Sequence, residues 1–136
     1  MRRTAFVVVL LAFAVACGPK SAVDSGSPVQ IGPQKSILQS GYTESQPKVE
    51  LVKTAGLWTL TVFQGQQATG GYSIAIERIT SQGTTLYVRA RFTIPAPGAL
   101  VTSDLTSPAS SVELPFAPDA IVLFDQDGHE RARLAR

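Results

Sequence analysis

Cysteine and histidine are almost absent from this 136-residue sequence, which contains only Cys17 and His129. One cysteine cannot form an intrachain disulfide, and one histidine cannot build a zinc site without further ligands. The Asp125, Asp127 and Gly128 positions imitate the start of a calcium loop but lack its closing glutamate, so we predict a turn there. We therefore expect no metal and no cofactor.

Catalytic machinery is equally scarce. A serine hydrolase would depend on His129 as its base, and the sequence contains no Gly-x-Ser-x-Gly motif. We therefore predict no catalytic residues, and a small serine hydrolase using His129 is the weakest of the alternatives.

A hydrophobic run long enough to span a bilayer is also missing from the N-terminus. The apolar run Ala5–Ala16 has twelve residues and follows Arg2 and Arg3, whereas a spanning helix needs about 20. A short apolar run behind a basic start is typical of a signal peptide. We predict that residues 1–16 are removed from the mature protein.

The residues around the predicted cleavage site are Ala14-Val15-Ala16-Cys17. They resemble the bacterial lipoprotein box, in which a signal peptidase cuts before a lipidated cysteine. This resemblance implies that acyl chains on Cys17 hold the protein to a membrane of the bacterial cell envelope. It also implies that Gly18, which is not aspartate, permits release to the outer membrane in a host with two membranes.

No excess of one charge remains after processing. Loss of Arg2 and Arg3 leaves ten basic and ten acidic residues in the mature chain. Nucleic-acid binding requires clustered lysine and arginine, and the basic residues here are mostly scattered. We predict no nucleic-acid partner.

The mature chain divides by composition into two parts. Residues 17–34 are rich in glycine, serine and proline, so we predict a lipidated cysteine followed by a flexible tether. The remaining residues, 35–136, have the size of one domain.

Apolar residues in this domain alternate with polar ones, as in half-buried strands. The clearest alternation runs over residues 85–94, and similar patterns cover 48–51 and 58–62. Residues 121–124 predict a further strand, residues 125–128 a turn, and residues 130–134 an edge strand. We predict a mostly β fold: a single small antiparallel domain, sandwich or barrel-like, in which the prolines between 95 and 118 exclude a long helix.

The segments 72–76 and 86–94 predict a β-hairpin with its turn at residues 81–84. We expect Ile76 opposite Val88, which places Ile74 opposite Ala90 and Tyr72 opposite Phe92. Leu86, Val88, Ala90, Phe92 and Ile94 then share the buried face. Ile79 does not fit this alternation, which indicates a bulge or strand end near Arg78.

A specific resemblance appears between residues 57 and 124. Gly65–Ile74, Pro95–Thr102 and Val112–Pro115 occur in an order and spacing that resemble the C-terminal domain of the PrcB family of protease complex subunits. The most specific part is the motif Thr69-Gly70-Gly71-Tyr72. The resemblance implies a small β-rich domain in an exported protein that associates with a protease rather than cleaving substrates.

Two groups of residues are candidates for binding. The motif 69–72 has either a structural or a recognition role, and glycine pairs at the start of strands are usually conformational. Tyr87, Arg89, Arg91 and Thr93 lie on the outer face of the predicted hairpin, as a solvated surface or as a docking surface.

The sequence thus predicts a lipid-anchored envelope protein that acts as a non-catalytic accessory or binding subunit, plausibly of an exported protease complex. An alternative is a protease inhibitor that presents a loop such as Pro95–Leu100.

Overall fold

The computed structural model describes residues 25–40 and 45–136 of the chain. The predicted signal peptide and Cys17 lie outside the described residues, so the lipid anchor stays a prediction. Within the described ranges, no helix is long and apolar enough to cross a membrane.

The described residues form nine strands in two sheets. The five-stranded sheet A has the order β1-β5-β6-β8-β9, and the four-stranded sheet B has the order β2-β7-β4-β3. The sheets are not closed into a barrel, so the sandwich is the correct one of the two predicted architectures. The strands are β1 Ser27–Pro28, β2 Lys35–Ser40, β3 Lys48–Thr54, β4 Leu57–Phe63, β5 Ser73–Gln82, β6 Thr85–Thr93, β7 Thr106–Leu114, β8 Ala120–Phe124 and β9 Glu130–Ala135.

One hydrophobic core lies between the two sheets. Alternate residues of each strand point inward, so both sheets contribute to one apolar cluster. Sheet B provides Leu60, Val62 and Val112, and sheet A provides Leu86 and Val88, all of them buried. The predicted alternation is therefore correct over β4 and β6.

The β5–β6 hairpin is present, but its predicted register is wrong. The structure pairs Ile74 with Phe92, Ile76 with Ala90 and Ile79 with Val88. The strands extend further than expected, so that only Gly83 and Thr84 separate them. A register shift between Ile76 and Arg78 adds one residue to β5. This bulge confirms the irregularity indicated by the sequence, and it returns Ile79 to the core with 2 % exposure.

Ile94 is a second correction to the hairpin. Its side chain is exposed rather than buried, because β6 ends at Thr93. The chain has left the sheet by residue 94, and the alternation of faces no longer applies.

Two features of the sheets depart from the sequence prediction. Strand β7 lies between β2 and β4, although it contains Pro108. The residue pairs between β7 and β4 stop at Ala109, and beyond them Pro108 uses only its carbonyl, which accepts from the Gln64 N–H at 2.9 Å. Pro108 is accommodated because no strand residue there requires its missing N–H. The second departure is that β6 and β8 run parallel, whereas the domain was predicted to be antiparallel.

The segment that precedes β2 differs from the predicted tether in residues 25–34. Strand β1 pairs with β5, and the Val29 N–H donates to the Ile79 carbonyl at 2.9 Å. The Gln34 amide accepts from the Ile76 N–H at 2.9 Å and donates to the Ile76 carbonyl. The glutamine side chain thereby occupies the place of a neighbouring strand. These hydrogen bonds offset the conformational entropy that residues 25–34 lose on becoming ordered. The composition of the segment gave no sign of them, which is why a flexible tether was predicted.

The contribution of the core can be tested with two leucines of one strand. Leu60 is fully buried, whereas Leu57 is 51 % exposed. We expect Leu60→Ala to lower the free energy of unfolding by about 2–5 kcal/mol, because it leaves a cavity. Leu57→Ala, the matched control, should change it by about 0.5 kcal/mol or less. Urea denaturation of both variants measures the difference, and equal effects would contradict the assignment of strand faces.

Candidate functional site

The candidate site lies on the outer face of sheet A. Tyr87, Arg89, Arg91 and Thr93 alternate with the buried residues of β6, so their side chains share the side opposite the core. Strand β6 lies in the middle of the sheet, between β5 and β8. The four residues predicted from the sequence are therefore neighbours near the middle of this face.

An aromatic pair lies beside these residues. The rings of Tyr87 and Phe124 are stacked, with centroids 6.3 Å apart and planes at 27°. Val122 pairs with Tyr87 in the parallel register and is only 1 % exposed, although it belongs to the same outer face. The outer face thus includes a buried apolar side chain, Val122, and is more than a row of solvated polar groups.

Four arginines surround the aromatic pair. Arg78 lies opposite Arg89 on β5, and Arg133 lies opposite Val122 on β9, so both join Arg89 and Arg91 on this face. We call this set, with Tyr87 and Phe124, the arginine face.

Two glutamates offset part of its charge. Arg91 Nε and Nη2 both lie 2.6 Å from Glu77 Oε1. Arg133 donates to both oxygens of Glu130 at 3.0 and 2.9 Å, and this hydrogen bond lowers the pKa of the Glu130 carboxyl. Arg91 and Arg133 are thus each paired with a glutamate of the same face.

Sequence reasoning missed part of this surface. Phe124 ends a continuous apolar run, in which no alternation of polar and apolar residues indicates which side chains face outward. Arg133 was recognisable only as part of a predicted edge strand. Glu77 lies at the bulge, where simple alternation fails. A parallel β6–β8 pairing would have placed Phe124 beside Tyr87, but short-range patterns do not reveal it.

The motif Thr69-Gly70-Gly71-Tyr72 packs against the loop between β6 and β7. The Gly70 N–H donates to the Thr102 carbonyl at 3.0 Å. Gly71 has a φ of 86°, and a Cβ there would lie 2.9 Å from Val101 Cγ1. Both glycines therefore have a conformational role, which is to let the loop approach the start of β5.

Residues 94–105, the β6–β7 loop, carry a defined turn. The Ala99 N–H donates to the Ala96 carbonyl at 3.0 Å, and Gly98 between them has a φ of 77°. Pro97 followed by glycine with positive φ is typical of a type II turn. Leu100, next to this turn, is fully exposed. The loop thus presents an apolar side chain on a turn of fixed shape.

His129 and Asp125 belong to the turn between β8 and β9. The Asp125 carboxylate accepts from the His129 N–H at 2.9 Å, from the Asp127 N–H at 3.0 Å and from Arg131 at 3.2 Å. Burial alone raises the pKa of Asp125, but these three donors outweigh it and lower the pKa. The carboxylate thus serves to close the turn. His129 Nδ1 lies 3.6 Å from the same group, and its side chain is 77 % exposed.

The outer face of sheet A thus carries tyrosine and arginine, residue types that are enriched at protein interfaces. Residues 59–115, from β4 through β7, match the family model described as PrcB C-terminal. This match supports the resemblance seen in the sequence and lies within the limits of 57–124 expected there. Domains of this family are in general non-catalytic accessory domains of protease complexes. No curated protein and no solved structure matches the chain.

The role of the motif can be tested with two glycine substitutions. We expect Gly71→Ala to lower the free energy of unfolding by about 2–5 kcal/mol, because the new Cβ collides with Val101 and Pro95 in addition to the strain of a positive φ. Gly83 also has a positive φ but open space around it. Gly83→Ala should therefore cost only about 1–2 kcal/mol. Equal costs in thermal or chemical denaturation would show that packing of the loop does not depend on Gly71.

Proposed function

We propose that this protein is a non-catalytic accessory subunit that binds another exported protein, a protease, through the arginine face. The observation that carries the proposal is the stacked Tyr87–Phe124 pair beside four arginines on the outer face of sheet A. Tyrosine and arginine are the side chains that most often dominate protein interfaces.

The charges of the face indicate the kind of partner. Arginine side chains around an aromatic centre can pair with carboxylates of a partner, and such complementarity speeds encounter and fixes orientation. Arg91 and Arg133 are held by Glu77 and Glu130, so their guanidinium groups are already positioned before a partner arrives. Positioning in advance reduces the entropy lost on binding.

The location of the complex follows from the N-terminal prediction. We propose that acyl chains on Cys17 hold the protein at the cell envelope, so that the partner is a protein of the same compartment. In a host with two membranes, Gly18 favours the outer membrane.

Inhibition of a protease is a second candidate function, and one observation favours it. Leu100 is fully exposed beside the fixed turn Ala96–Ala99, a shape that could enter an active-site cleft. The two candidates differ in their effect on activity. An inhibitor lowers protease activity in proportion to its dose and depends on Leu100, whereas an accessory subunit depends on the arginine face.

The proposal can be tested by mild cross-linking and affinity purification of the full-length protein from envelopes, followed by mass spectrometry. We expect an exported protease among the recovered proteins. Arg91→Glu should reduce its recovery by about tenfold or more, because the substitution places a negative charge against an acidic partner.

Lys35→Glu is the matched control, since Lys35 is an exposed cation on β2 of the opposite sheet. This variant should recover the protease as well as the unchanged protein does. Thermal unfolding of both variants must first establish that they fold. Recovery of only lipid and abundant envelope proteins, or equal recovery with Arg91→Glu, would contradict the proposal.

A further inference from the structure

One end of the sandwich is formed by the β3–β4 turn, the β5–β6 turn and the β7–β8 loop. Trp58 pairs with Leu114, the last residue of β7, so the β3–β4 turn lies beside the β7–β8 loop. The Asp119 N–H of this loop donates to the Thr84 carbonyl of the β5–β6 turn at 2.9 Å. The β6–β7 loop lies at the opposite end, because β6 runs from one end to the other.

Two of these three connections have apolar, exposed tips. Residues 55–57 are Ala-Gly-Leu and residues 115–117 are Pro-Phe-Ala, and we call these two tips the apolar end. Leu57 is 51 % exposed and Phe116 is 37 % exposed. Surface turns are usually built from polar residues and glycine. Because exposed side chains add little to the stability of the core, the fold does not explain why large apolar residues lie here.

The backbone of the β3–β4 turn is a second, independent observation. Thr54 pairs with Leu57, so the turn has two central residues, Ala55 with a φ of 51° and Gly56 with a φ of 87°. Two positive φ angles define a type I′ turn, in which Asn-Gly is preferred. Alanine is strained in this conformation, whereas asparagine tolerates it. The turn thus keeps an apolar tip at a cost in stability, as strained positions at functional sites do.

The proposed anchor would hold the apolar end close to a membrane. Ser27 of β1 pairs with Ser81 beside the β5–β6 turn, so the chain enters the domain at this end. Cys17 precedes Ser25 by eight positions, which span at most about 28 Å when fully extended. A domain tethered at this distance meets the bilayer at a high effective concentration, so a few apolar side chains suffice for contact.

We propose that the apolar end rests on the phospholipid bilayer, with Leu57 and Phe116 inserted among the headgroups. This inference rests on the proposed acylation of Cys17, and it adds a second contact that fixes the orientation of the domain. The strands then rise from the membrane surface, and the arginine face stays accessible to a protein partner.

Trp58 and two cations support a lipid surface as the occupant. Trp58 is half-buried beside the apolar end, and tryptophan favours the boundary between water and hydrocarbon. Lys53 Nζ and Arg136 Cζ lie over its ring, 5.6 and 4.7 Å from the centroid. Such side chains pack their stems on apolar groups while their charged heads reach lipid phosphates. Asp119 is exposed at the same end and offsets one of these charges, so apolar contact dominates over net charge.

The test uses Trp58, the single tryptophan of the sequence, as its reporter. The mature lipidated protein is reconstituted into phospholipid vesicles that either carry or lack bromine on the acyl chains near the headgroups. Bromine quenches tryptophan at close range, so we expect weaker Trp58 emission in the brominated vesicles. Equal emission in the two kinds of vesicle would overturn the proposal.

Two leucines at opposite ends of the sandwich provide matched variants. Leu57→Ser combined with Phe116→Ser should remove most of the quenching. Leu100→Ser is the control, because Leu100 is fully exposed in the β6–β7 loop, and this variant should be quenched like the unchanged protein. Equal quenching in the double variant and in the control would overturn the proposal.

A third variant separates lipid contact from folding. Ala55→Asn should raise the melting temperature, because it relieves the strained turn, and it should lower the quenching, because it places an amide at the tip. Unfolding cannot produce this combination. If quenching falls only in variants that melt earlier, the proposal is wrong.

Flotation of the vesicles distinguishes failure of the contact from failure of the anchor. Protein that floats with the vesicles but is not quenched has its anchor and lacks the proposed contact. Protein that does not float contradicts both. Arg91→Glu should leave the quenching unchanged, because Arg91 is not part of the apolar end, so the result is independent of the affinity purification.

Discussion

The bulge in β5 is the constraint on which both faces of sheet A depend. Ile76 and Ile79 both point into the core, although three positions separate them and strict alternation would place them on opposite sides. The extra residue is Glu77, which stays outside and contacts Arg91. One local irregularity thus fills the core and positions a charged group on the outer face. Without it, strict alternation after Ile76 would turn Arg78 inward and Ile79 outward.

Side chains also complete the sheets where strands are missing. Gln34 bonds both backbone groups of Ile76, and Gln126 likewise bonds the N–H and carbonyl of Phe92 at 3.0 and 3.3 Å. An amide has the same donor and acceptor as a peptide unit, so it satisfies the edge without adding a strand. Edges closed in this way are poor templates for pairing with other chains.

Much of the fold was predictable from alternation, and the failures have physical causes. Strands β4, β6, β8 and β9 have patterns or flanking turns that local rules detect. Strand β7 was missed because it is buried on both sides and contains Pro108, so it shows no alternation and carries a residue typical of loops. The hairpin register was wrong because the bulge and the tight turn each move the pairing, and both depend on contacts made elsewhere in the fold.

The candidate site was predictable only in part, for a related reason. Tyr87, Arg89, Arg91 and Thr93 follow from alternation on one strand. Their neighbours come from strands brought together by the fold, above all through the parallel β6–β8 pairing. The family resemblance indicated a protease-associated domain, and the glycines of its most specific motif contact the β6–β7 loop.

The most direct test of the arginine face as a docking surface is site-specific photo-cross-linking in intact envelopes. A photoreactive phenylalanine analogue replaces Tyr87 in one variant. In the control it replaces Val52, which is 53 % exposed on β3 of the other sheet. The account predicts a covalent adduct between position 87 and an exported protein, and none at position 52. An adduct at position 52 alone, or no protein adduct at position 87, would contradict it.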